Sequence, residues 1–224
     1  MQATENLIEL RRLLSERFPQ AHAKRPAEPA AHTVATGVPS LDKLLGGGLP
    51  RGEFTELVGA GRGSGSAQVL HALLRRVAAD GQFLALVDGV DSFEVDAVEP
   101  AVLARLLWVR CTKASEALKS ADILLRDRNF PLVVIDLKLN SLAQLRKISS
   151  SVWHRFRRLL EQNGTTALVV TPEPLIGSVA CRVQVESKLG IEALGQPLSE
   201  TLRLLRFELL RMTAEVDEEA VKAG

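Results

Sequence analysis

Four glycines alternate with other residues in Gly59-Ala-Gly-Arg-Gly-Ser-Gly65. They follow an apolar run, Phe54-Thr-Glu-Leu-Val58, and precede a helical pattern that opens at Ser66. A strand, a glycine loop and a helix in that order leave backbone N–H groups exposed at a helix N-terminus, where aligned peptide dipoles favour an anion. Units of this kind belong to folds in which parallel strands are joined by helices.

The rest of the body repeats that rhythm. Phe54–Val58, Phe83–Asp88, Leu132–Asp136 and Ala167–Thr171 are apolar nearly throughout, as strands covered on both faces of a parallel sheet must be. Helical patterns separate them at Ser66–Ala79, Thr112–Arg126 and Ser141–Gln162, the first and last closed by Gly81 and Gly164. Two further strands, Arg182–Glu186 and Leu202–Leu209, follow without a long helix between them and are expected to pair antiparallel at an edge. The expected architecture is α/β, a mainly parallel central sheet flanked by helices with an antiparallel C-terminal edge. Ahead of this core, taken as 34–211, Leu7, Leu10, Leu14 and Phe18 recur at helical spacing, so 1–18 reads as an amphipathic arm. Residues 19–33, with Pro26 and Pro29, read as a linker, and 212–224, with Glu215, Asp217, Glu218 and Glu219, as an acidic tail.

Composition removes several functions. With 28 Lys+Arg against 27 Asp+Glu, the net charge of +1 gives no global field toward nucleic acid or membrane. Tyrosine is absent, which excludes chemistry that needs a phenol. Cys111 and Cys181 stand apart from each other and from histidine, and His22, His32, His71 and His154 are scattered, so neither a metal site nor a catalytic triad is expected. The N-terminus lacks the basic start and apolar stretch of an export signal, and no run is long enough to span a bilayer, so a cytoplasmic location is expected.

Three loop chemistries compete for Gly59–Ser66. The pattern G-x-x-x-G-x-G fits Gly59, Gly63 and Gly65 and resembles short-chain dehydrogenases, with Asp88 as a ribose acceptor, but those enzymes need a tyrosine acid. A serine nucleophile elbow fails because Arg62 stands two residues before Ser64. The phosphate-loop pattern G-x-x-x-x-G-K-[ST] runs from Gly59 to Ser66 but places Ser64 at its second glycine and Gly65 at its lysine.

The segment upstream separates these. Thr36-Gly-Val-Pro-Ser-Leu-Asp42, then Leu45-Gly-Gly-Gly-Leu-Pro-Arg-Gly52, resembles the entry to the RecA/KaiC-like ATPase core. Phe83–Asp88 resembles its second core strand, and Leu132–Asp136 its Walker B strand, with Asp136 as the terminal carboxylate. The resemblance spans about residues 34 to 186 and implies a nucleotide site of Gly59, Gly61, Arg62, Gly63, Ser64, Gly65, Ser66 and Asp136. It also marks departures: Val90 stands where the family has its catalytic Glu, Glu173 where it has a sensor Gln, and the loop lacks its lysine. Loss of all three leaves no source of transition-state charge stabilisation, so no catalytic residue and no bound cofactor are expected, with ATP in the loop the less favoured outcome. The segments Leu137–Ser141 and Glu173–Ser178 are also shorter than the family's DNA-holding loops.

This pattern of loss is similar to that of the ImuA family, RecA-like members of a bacterial mutagenesis cassette. The resemblance implies an accessory role in DNA-damage-induced translesion synthesis, with an ImuB-like Y-family protein, RecA and a DnaE-type error-prone polymerase as partners. The alternatives are a SulA-like cell-division inhibitor that binds FtsZ, and an active DNA-dependent ATPase in which Arg62, Lys138 or Lys43 replaces the missing lysine, Arg62 being best placed within the loop. For DNA or partner contacts, the Ser141–Gln162 helix offers Arg146, Lys147, Trp153, His154, Arg157 and Arg158. Leu7, Leu10, Leu14 and Phe18 offer a stripe for self-association into a homo-oligomer.

Overall fold

The structure is a computed structural model that describes Arg12 and residues 32–61, 63–187, 190 and 195–212. A short hairpin-like pair, β1 (Thr33–Val34) and β2 (Leu49–Pro50), encloses α1 (Pro39–Leu44) and leads into β3 (Phe54–Val58). Then come α2 (Ser66–Ala79), β4 (Leu84–Asp88), α3 (Pro100–Leu103), β5 (Leu106–Arg110), α4 (Ala114–Asp127) and β6 (Leu132–Asp136). The chain continues through α5 (Leu142–Leu145), α6 (Ser150–Asn163), β7 (Thr166–Thr171), β8 (Cys181–Ser187), α7 (Leu198–Arg203) and β9 (Leu205–Met212).

Seven strands form the main sheet in the order β5-β4-β6-β7-β3-β8-β9, all parallel except for the antiparallel β8–β9 edge. Alternation along the central strands divides the core in two. Val133, Ile135, Ala167 and Val169 face α4 and α6 together with Phe54, Leu124, Phe130 and Phe156. Leu132, Val134, Leu168 and Val170 face α1 and α2 together with Leu41, Leu73, Leu74 and Val77. Burial on both faces is why these strands carry almost no polar residues.

Three elements differ from the sequence reading. The run Ser141–Gln162 is not one helix: α5 stops at Leu145 and α6 starts at Ser150, because Ser149 caps α6 with its Oγ accepting the Ser151 N–H at 3.3 Å. A serine that satisfies a free N–H at a new helix start competes with helix continuation. The edge strand β5 was not anticipated, since Leu106-Leu-Trp-Val-Arg110 follows directly on the helical residues of α3. The final strand starts at Leu205 rather than Leu202, because α7 occupies the intervening residues. The amphipathic arm with Leu7, Leu10, Leu14 and Phe18, and the tail from residue 213 onward, lie outside the described residues.

Candidate functional site

The glycine loop joins β3 to α2 at the C-terminal ends of the central strands, the edge of a parallel sheet where ligand sites form. The Gly59 N–H donates to the Thr171 carbonyl at 2.9 Å, tying the loop's start to β7. Gly61 and Gly63 are exposed, whereas Ser64, Gly65 and Ser66 are buried; Arg62 lies outside the described residues. Gly65 has φ +96°, and a Cβ there would collide with the Leu205 side chain at the start of β9. A side chain at the position that the phosphate-loop pattern reserves for lysine would therefore be strained by the backbone conformation and would have to displace the Leu205 methyl.

The upstream turn positions the loop helix. The Thr36 N–H and hydroxyl both donate to Asp42 Oδ1, at 2.8 and 2.7 Å, and Thr36 Oγ1 accepts the Val38 N–H. Gly37, at φ +78°, brings this turn to within 3.0 Å of the Ala72 carbonyl of α2, measured from where a Cβ would stand. The TG-x-x-x-LD residues thus form a closed turn docked on α2.

A cation does reach the loop, from elsewhere in the chain. Lys138, two residues after Asp136, donates from Nζ to Ser64 Oγ at 2.7 Å and to Ser66 Oγ at 3.0 Å. Burial lowers the pKa of Lys138, and the nearby Asp136 opposes that shift. Among the described residues, Lys138 is placed at the loop's hydroxyls, whereas Lys43 sits exposed on α1. Asp136 Oδ1 accepts the Lys138 backbone N–H at 3.0 Å. Burial, reinforced by the neighbouring Asp88 charge, pushes the Asp136 pKa up to about 6. Asp88 itself is engaged in folding the next loop: its carboxylate accepts the Ser92 and Phe93 N–H groups at 2.7 and 2.8 Å and the Trp108 Nε1–H at 3.3 Å.

The positions at which the family has its other catalytic groups carry different chemistry here. Val90 brings no carboxylate, and its N–H donates to Asp88 at 3.3 Å. Glu173 forms a two-pronged ion pair with Arg146, at 2.9 and 3.0 Å, and Arg146 holds the Glu173 pKa down. The short segment after β6 is fixed by buried Asn140, whose Nδ2 donates to the Gly89 carbonyl at 3.0 Å. The segment after β7 is fixed by Glu56, which is fully buried and accepts from Arg182 Nε, the Thr171 hydroxyl and the Leu175 and Ile176 N–H groups. Sequence reasoning missed this network, although a glutamate inside a five-residue apolar strand was its signal.

The proposed basic helix face separates into parts. Trp153 is 4% exposed and packs edge-to-face on Phe54 and Phe156, with both ring centroids at 6.1 Å, so it belongs to the core and is corrected as a contact residue. Arg146 and Lys147 lie in the turn after α5, and Arg157 pairs with Glu53 and Glu161. His154 and Arg158 remain exposed on α6. Cys111 and Cys181 are free and buried, and burial pushes the Cys181 thiol up to about 11. Among the described residues there is no cluster fit to hold a metal and no helix long and apolar enough to cross a membrane.

The mainly parallel sheet, its flanking helices and its antiparallel edge define a RecA-like α/β fold. The crystal structure of the RadB recombinase matches with a TM-score of 0.56 at 18% identity, over 70% of this chain and 85% of that one. In sequence, the chain is similar to RecA of Streptomyces avermitilis, 32% identical over 116 residues, which are 50% of this chain and 30% of the relative. RecA of Deinococcus radiodurans is 26% identical over 199 residues, 73% of this chain and 53% of the relative. The chain thus spans between about a third and about half the length of these RecA relatives. No family model matches it.

Proposed function

We propose that the chain is a non-hydrolysing RecA-like accessory protein of the cytoplasm that helps assemble a translesion-synthesis complex on damaged DNA. Its partners on this reading are an ImuB-like Y-family protein, RecA and a DnaE-type polymerase. The observation that carries the reading is at Gly65. The lysine position of the phosphate loop has φ +96° and abuts Leu205, while an internal lysine, Lys138, holds Ser64 and Ser66. Val90 and the Arg146-bound Glu173 supply neither a water-activating carboxylate nor a free γ-phosphate sensor, and phosphoryl transfer rests almost entirely on such groups. Resemblance to RecA and to a recombinase fold supports a place in DNA repair.

A second reading keeps Lys138 as a relocated phosphate cation in a DNA-dependent ATPase, favoured by its two contacts to the loop. Affinity co-purification of the tagged chain with candidate proteins tests the accessory role. Recovery of an ImuB-like protein or RecA is the expected result. Recovery of FtsZ alone would move the protein to a cell-division role.

A further inference from the structure

Helices α4 and α6 pack side by side on one face of the sheet, and the seam between them is open. One cavity of about 440 Å³ is lined by Ala114, Leu118, Ile148 and Val152, with Lys113 and Lys147 at its rim. A second, of about 450 Å³, is lined by Arg126, Arg155, Arg158 and Leu159. Asp122 stands between Leu118 and Arg126 on α4, and it pairs with Arg155 of α6 at 2.8 Å and with Arg126 at 2.9 Å. The ion pair crosses the seam between the two cavities, which follow one another along the same pair of helices.

The groove has a definite chemistry. Leu118, Ile148, Val152 and Leu159 are half-buried and give it an aliphatic floor. Five cations and no carboxylate line the two cavities; Lys113 pairs with Glu116, and Arg126 and Arg155 pair with Asp122. Lys147 and Arg158 form no ion pair among the described residues. No aromatic ring lines either cavity. A single-stranded nucleic acid gains much of its affinity by stacking bases on rings, and an aliphatic floor offers it nothing. An amphipathic helix gains from both features, since its apolar face displaces water from the floor while its acidic flanks meet the rim. Each wall helix has 14 residues, about 21 Å in length, which matches a partner helix of about four turns.

We infer that the α4–α6 groove is a docking site for an acidic amphipathic helix of a partner protein. The inference rests on the accessory reading but names its own surface, at the opposite side of α6 from the buried Trp153. Charge complementarity selects the occupant: the groove rejects basic helices and accepts acidic ones.

Fluorescence anisotropy with the full chain tests it. The probes are a labelled peptide of about four helical turns with leucines on one face and glutamates elsewhere, a scramble of the same composition, and a short oligothymidylate. The ordered peptide should bind at least about tenfold more tightly than its scramble, a difference of about 1.4 kcal/mol. The double substitution Lys147→Glu, Arg158→Glu should weaken it by about tenfold or more, and Ile148→Gln should weaken it without changing net charge. Circular dichroism of each variant establishes that the fold is intact. Equal binding of peptide and scramble would overturn the groove, because charge alone would then explain the affinity. Binding of the oligothymidylate in preference to the peptide, lost on the same charge reversal, would make the face a nucleic-acid surface and also overturn it. Neither outcome bears on ATP turnover or on co-purification, so failure here is distinguishable from failure of the accessory reading.

Discussion

Two carboxylates occupy strands separated only by β7, and the fold surrounds them differently. Glu56 on β3 accepts four donors: Arg182 Nε at 2.6 Å, the Leu175 N–H at 2.7 Å, the Thr171 hydroxyl at 3.1 Å and the Ile176 N–H at 3.3 Å. Asp136 on β6 accepts the Lys138 backbone N–H and sits near the charge of Asp88, so burial and repulsion push its pKa up to about 6. The first is a completed ion-pair network that fastens β8 and the segment after β7 to the sheet. The second is a carboxylate held at the mouth of the glycine loop with its charge poorly compensated. A motif names Asp136, yet the fold relies on Glu56, because a buried charge stabilises a structure only when its donors are all present.

The largest effect should come from breaking the completed network. Glu56→Ala leaves the Arg182 guanidinium, itself mostly buried, without its carboxylate and should cost about 3–5 kcal/mol. Arg182→Ala should cost a similar amount, and the double substitution should cost less than the two together, measured by urea unfolding. A loss under about 1 kcal/mol for Glu56→Ala would mean that the network is ornamental and the comparison is wrong.

The next effect lies in the loop. Gly65→Lys restores the letter of the phosphate-loop motif, but at φ +96° and against Leu205 it should destabilise by about 1–3 kcal/mol. It should bring no ATP turnover. A stable, ATP-hydrolysing Gly65→Lys variant would show that only one residue separates this loop from an active one.

The third effect has the opposite sign and appears only above the raised pKa. A carboxyl whose folded pKa is raised from 3.8 to about 6 stabilises the fold fully below the unfolded value and loses that contribution as pH rises to about 6. Asp136→Asn keeps the acceptor for the Lys138 N–H and removes the charge. It should therefore raise unfolding free energy by about 1–3 kcal/mol at pH 8 and change little below pH 4, read from denaturation at both pH values. Destabilisation at pH 8 would mean that the Lys138 ammonium depends on Asp136 more than burial opposes it.

The same contrast explains what the sequence made legible. β3 and α2 were read with their observed ends, because an apolar run, a glycine loop and a 3.6-residue period each have a local cause. The break at Ser149 was missed because periodicity in Leu142, Leu145, Ile148, Val152 and Phe156 continues across a backbone that serine capping has interrupted. The arrival of Lys138 at Ser64 and Ser66 joins residues 74 and 72 positions apart, and the register of β6 on β7 and of β7 on β3 brings them together. A lysine two residues past the strand-ending Asp136 was the one local hint. Trp153, read at the border of a basic face, belongs to the core because α6 turns that position onto Phe54.

The central claim is that the glycine loop of this RecA-like fold carries no hydrolytic chemistry. It is tested most directly by binding and turnover of millimolar ATP with Mg²⁺, with and without single-stranded DNA, on the purified chain. Neither saturable binding nor turnover above background is the predicted result. DNA-stimulated turnover that disappears in Lys138→Ala would contradict it and make Lys138 a working phosphate cation.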